Sequence, residues 1–141
     1  MQLDVAQKIL SSTLGAARQH NLNPLAVVVL DRRGALKSAA SEDGASLKRA
    51  EIALGKAHGA LAMGLGSRTL HTRSLQQPQF IAAVTHAVGG LLVPVPGGVL
   101  IRGQEGELLG AVGVSGDTSD NDELVALAGI EAAGCTADPG S

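Results

Sequence analysis

Lys56 is the residue whose type and setting most invite chemistry. It sits in AEIALGKAHGAL, a run otherwise built of small and aliphatic side chains, with Glu51 and Glu42 near it in sequence. A lysine held among apolar groups loses the hydration of its ammonium. Its pKa then falls, and it can act as a base or hold an anionic ligand. The competing reading is an ordinary helix lysine, its stem along apolar surface and its ammonium in solvent or against a carboxylate. In that case Lys56→Ala leaves the fold intact. Four histidines, His20, His58, His71 and His86, offer a titratable partner. None forms an HxH or HExxH pattern, so no metal site is expected. His58 follows Lys56 by two residues and points to a different helix face. His71 and His86 fall in an irregular region of the kind that carries function. Lys56, His71 and His86 are therefore the candidate catalytic residues, and His58 a candidate ligand contact.

Gly97-Gly98 and the run Gly113 to Gly116 (GVSG) could bring bare backbone N–H groups against a carboxylate or phosphate. Glycine is equally what turns and close strand packing require. Gly97, Gly98 and Ser115 are the candidate ligand-binding residues on this count. GVSG is not the GxSxG nucleophile elbow, because the flanking spacing is absent. Asp117, Asp120, Asp122 and Glu123 could hold a cation, or simply cap and polarise the helix that follows.

The elements that must position these groups follow from periodicity. Leu3 to His20 carries apolar residues at helical spacing. Leu25 to Leu30 (LAVVVL) is a continuous apolar run, as in a strand covered on both faces. DRRG turns the chain and Ala35 to Ala40 returns, giving a hairpin. A helix runs from about Leu47 to Met63, with Ser46 as candidate cap. Gly55 and Gly59 lie one turn apart on it, a small-residue face suited to sheet or subunit packing. Short helices are expected over 68–75 and 80–88. Val93 to Val95, Val99 to Arg102 and Leu108 to Val114 read as three strands, and Asp120 to Ala133 as the last helix. This order predicts an α+β fold, one five-stranded antiparallel sheet with helices on its faces. Residues 1–134 form a single domain, and 135–141 a disordered tail.

Composition bounds the function. The chain has 141 residues, 45% of them hydrophobic, with one Phe and no Tyr or Trp. Its core must be aliphatic, and so small a domain leaves apolar surface for self-association. Net charge is −2 and the pI about 6.0. No basic patch interleaved with aromatics is present, which argues against nucleic acid. One cysteine, Cys135, makes no internal disulfide. MQLDVAQKIL has no basic n-region, and no run reaches the roughly 18 apolar residues of a membrane span. A cytoplasmic protein is the expectation.

LAVVVLDRRGAL, DGAS, AEIALGKAHGAL, VPVPGGVLI and GELLGAVGVSGDTSDNDELVALAGIEA together resemble the GlcG/HbpS-like family, the haem-binding or haem-degrading domain also found at the C-terminus of PduO-type proteins. The resemblance covers about residues 3–133. It implies a profilin-like α/β/α sandwich, assembly into an even-numbered homo-oligomer, often an octamer, and a small-molecule ligand that in some members is haem. No haem ligand carries over to a numbered residue. Two functions follow as expectations: a small-ligand-binding domain linked to haem, or an enzyme of small-molecule catabolism, of proton-transfer or lyase type, with Lys56 and a histidine in a pocket between subunits. That pocket is expected near Lys56 and the segment from Arg68 to His86, with Gly97-Gly98 as a wall.

Overall fold

A computed structural model describes residues 1–141. The elements are α1 (Leu3–Gln19), β1 (Ala26–Asp31), β2 (Leu36–Ser41), α2 (Arg49–Met63), α3 (Ser67–Gln76), α4 (Pro78–Ala87), β3 (Gly98–Arg102), β4 (Leu108–Ser115), α5 (Ser119–Ala132) and β5 (Thr136–Asp138). The five strands form one sheet in the order β2-β1-β4-β3-β5, with every pairing antiparallel.

All six residues of β1 are buried, as a strand covered on both faces requires. Side chains alternate across it. Val27 and Val29 join Val99, Ile101, Val112 and Val114 beneath α1 and α5, while Val28 and Leu30 join Leu100 and Ala111 beneath α2. The result is the expected α/β/α sandwich. Each fully buried Val, Leu or Ile contributes about 1.5–3 kcal/mol, so the two aliphatic layers hold the fold without aromatic bulk.

Glycine sets how closely α2 approaches the sheet. A β-carbon at Gly113 would overlap the Ala53 carbonyl, and one at Gly98 would overlap the Lys56 carbonyl. The Gly55 and Gly59 face of α2 is covered by the chain's own segment. A β-carbon at Gly55 would lie 2.6 Å from Val93 Cγ2, and one at Gly59 2.9 Å from Leu92 Cγ. That face is thus spent on internal packing and is not left for a second subunit.

Three expectations need correction. Val93 to Val95 is not a strand, because Val93 N donates to the Gly55 carbonyl on α2, 3.1 Å away, and not to a neighbouring strand. The fifth strand is β5, within the tail expected to be disordered. It pairs with β3 through Leu100↔Asp138, Ile101↔Ala137 and Arg102↔Thr136, and the Arg102–Asp138 ion pair at 2.9 Å fastens it. Ser46 does not cap α2. Lys48 holds the cap position without a side-chain bond, and Ser46 Oγ accepts instead from Arg49 Nε.

Candidate functional site

The buried Lys56 links the two helical layers through the sheet. Its side chain is 2% exposed. Nζ donates to the Val114 carbonyl of β4 at 2.8 Å and to Asp122 Oδ2 of α5 at 3.2 Å. Asp122 is itself 1% exposed, and its other oxygen accepts from Asp117 N at 3.0 Å. Burial pushes the Lys56 pKa below its ordinary 10.5, against the attraction of Asp122. Gly97 lies directly over the ammonium: a β-carbon there would sit 2.9 Å from Nζ. The carboxylates adjacent in sequence are engaged elsewhere, Glu51 with Lys48 and Glu42 with Arg18. Lys56 is therefore neither a snorkelling lysine nor one that lines any hollow in this chain. The partner that sequence reasoning missed is Asp122, which reads as one more acid in a helix first turn. Nothing local reveals that its side chain turns inward to a lysine 66 positions away.

Two hollows lie near the candidate residues. The first is an apolar groove of about 420 Å³ on the α2 side of the sheet, lined by Val28, Leu30, Leu36, Leu54, Leu91 and His58 among others. It exists because α2 sits over β4, β1 and β3 and barely reaches β2. Leu36 on β2 is left 64% exposed. His58 Nδ1 lies 2.9 Å from the Leu91 carbonyl. A carbonyl only accepts, so in the neutral ring Nδ1 carries the proton and Nε2 the lone pair. The Cδ2 edge beside Nε2 faces Gly34 in the groove wall.

The second hollow is a polar cleft of about 290 Å³ between α3 and α5, lined by Arg68, His71, Val95, Pro96, Thr118, Ser119 and Asp120. Arg68 Nε donates to Glu123 Oε2 at 3.0 Å, and Nη2 to Asp120 Oδ1 at 2.5 Å. The C-terminal strand leads into a strap that seats the start of α3. Pro139 O accepts from Arg68 N at 3.2 Å and Ser141 N donates to Thr69 Oγ1 at 2.8 Å. Gly66 makes room for it, because a β-carbon there would overlap the Pro139 carbonyl. His71 Nδ1 faces the Pro94 carbonyl at 3.3 Å, leaving Nε2 toward no protein partner.

The residues expected to share one site are thus divided. His71 lines the cleft, Lys56 is walled off behind Gly97, and His58 lines the separate groove. His86 is exposed on α4 and lines neither. Gly98 N donates to Ser67 Oγ at 2.7 Å, and Ser115 Oγ accepts from Arg49 Nη1 at 3.2 Å, so both hold structure together. No cluster of three or more His, Cys, Asp or Glu side chains with metal-holding geometry is present. No helix is long and apolar enough to cross a membrane.

Among solved structures, a PduOC–haem complex superposes with a TM-score of 0.85 at 24% identity, covering 96% of each chain. A Klebsiella pneumoniae protein, ORFY, gives 0.85 at 25% identity over 95% of this chain and 90% of that one. A double mutant of Streptomyces reticuli HbpS gives 0.79 at 26% identity over 93% and 85%. No curated protein sequence matches. The family model described as haem degrading protein HbpS-like matches residues 1–131. With nearly the whole chain inside that match and the same sandwich in all three structures, this protein belongs to the HbpS-like family of haem-degrading proteins.

Proposed function

We propose that this chain is a haem-binding domain, with the macrocycle in the groove between β2 and α2 and His58 as the iron ligand. The observation that carries the reading is the His58 ring. It is fixed by the Leu91 carbonyl, and its Cδ2 edge, next to the second nitrogen, faces Gly34 in the groove wall. A metal-binding imidazole is ordinarily held this way, its other N–H given to a carbonyl. The walls suit a porphyrin, because Leu30, Leu36, Leu54 and Leu91 offer apolar surface, and about 420 Å³ lies within the range of small-molecule sites. The family and the haem complex of a structural neighbour support the same ligand class. When bound, haem would supply an iron centre for axial coordination and for redox chemistry.

A groove open along β2 covers one side of a flat ligand. Leu36 and Leu91 at its rim are 64% and 38% exposed. A second copy closing over them would bury both rim and ligand, which is the form in which an even-numbered homo-oligomer and an interface pocket enter this reading. Haem titration of the purified protein tests it. A saturable Soret shift is expected in the wild type and in His86→Ala, and its loss or displacement in His58→Ala. An unchanged spectrum and affinity in His58→Ala would remove His58 as the ligand; no Soret shift at all would remove haem.

A further inference from the structure

We infer that the cleft between α3 and α5 binds a small organic carboxylate through Arg68, and that Asp120 occupies the ligand's place in the structure seen here. The two acids on Arg68 are not equivalent. Glu123 is 12% exposed and meets Nε with both oxygens. It anchors the guanidinium to α5. Asp120 is 79% exposed and its side chain makes no polar contact other than the one to Nη2. Little holds it there apart from that charge-assisted bond, and solvent screening keeps an exposed ion pair weak.

A ligand carboxylate offers Arg68 the same chemistry with more support. Arg68 is the residue type suited to a planar carboxylate. His71, one turn along α3 from Arg68, contributes Nε2 from the same wall, and the Ser119 hydroxyl on α5 has no protein partner. Val95 and Pro96 give the carbon skeleton an apolar wall, and about 290 Å³ sets the guest at the small end of small-molecule size. With Asp120 swung to solvent, water and salt screen its charge, while Glu123 still anchors Arg68 to α5. The strap through Pro139 and Ser141 keeps the base of α3, and so Arg68, in position. This site shares no lining residue with the haem groove, so the two stand or fall separately.

The experiment uses butyrate as probe and butanol as its uncharged counterpart, read by NMR through the Arg68 side-chain N–H and the His71 ring protons. Butyrate is expected to shift both sets of signals, and butanol neither. Asp120→Asn keeps the shape of the occupant and removes its charge, so butyrate should bind it a few-fold more tightly than wild type. Arg68→Gln should abolish the shifts. Because that variant also loses a bridge between α3 and α5, His71→Ala, which should weaken binding several-fold, serves as the second check. His86→Ala, at a residue that lines neither hollow, should leave butyrate binding unchanged. Equal or weaker butyrate binding in Asp120→Asn, or shifts that map away from Arg68 and His71, would overturn the proposal.

Discussion

Lys56→Met should be among the most damaging single changes in this protein, through buried charge alone. The ammonium has two partners, the Val114 carbonyl at 2.8 Å and Asp122 at 3.2 Å, and both acidic and basic side chains are about 2% exposed. Methionine fills most of the volume but leaves a buried carboxylate with one N–H, that of Asp117, as its only donor. Breaking a buried pair from one side costs about 3–5 kcal/mol. Against a total stability of about 5–15 kcal/mol for a domain of this kind, that is enough to leave the variant partly unfolded at 37 °C. Removing both charges is a different perturbation. Lys56→Met with Asp122→Leu leaves no stranded ion, and should recover most of the loss. Urea unfolding followed by circular dichroism, with the slope m held constant across variants, gives each figure. The pair also predicts an alkaline signature. Burial lowers the Lys56 pKa below 10.5 in the folded chain, so between that lowered value and 10.5 the unfolded chain binds more protons. Stability should therefore rise with pH across this window, and the rise should vanish in the double variant. A Lys56→Met cost below about 1 kcal/mol would refute the argument, since it would mean that the site readily admits water or that Asp122 finds another partner.

Two further changes probe how the sandwich closes. Gly113→Ala puts a β-carbon into the Ala53 carbonyl. It should force α2 off β4 and lower the urea midpoint sharply, whereas Gly106→Ala, with open space at its turn, should cost only the strain of its positive φ. Asp117 accepts from Asn121 Nδ2 and from the backbone of Asn23 and Thr118, and these bonds hold its pKa below the usual 3.8. Its contribution is present above pH 3.8 and lost as pH falls through the lowered folded value. Asp117→Asn should thus lower the neutral plateau toward the acid value and so flatten the acid limb of the stability curve.

The sandwich was legible because its signals are local. LAVVVL announces a doubly covered strand, Asp31 to Gly34 a hairpin turn, and the Leu124 to Ile130 stretch a helix. Sequence also singled out Lys56, His58 and His71 as side chains able to do chemistry. It could not show which way they face. Lys56 and Asp122 lie on helices on opposite sides of the sheet, and only the tertiary fold turns them toward one another. Arg68 gave no signal of its own, since its value depends on two acids more than 50 residues away. The tail failed for the opposite reason. TADPGS reads as loop by composition, yet β3 has a free edge, and pairing outweighs propensity where backbone donors need partners.

These placements make α2 the element on which the proposed function turns. Its backbone from Ala53 to Ala57 lies flush on Gly98 of β3 and Gly113 of β4, which leaves no room for the helix to slide. From that fixed helix Lys56 points through the sheet layer to α5, while His58, two residues on, points out to the groove. A 100° step per residue separates these directions, so one short stretch of helix both locks the two layers together and presents an imidazole to solvent. The tight packing that walls Lys56 off from every hollow is also what holds His58 in one orientation. A helix free to rock would present His58 to the groove in many orientations, and coordination of a metal requires one.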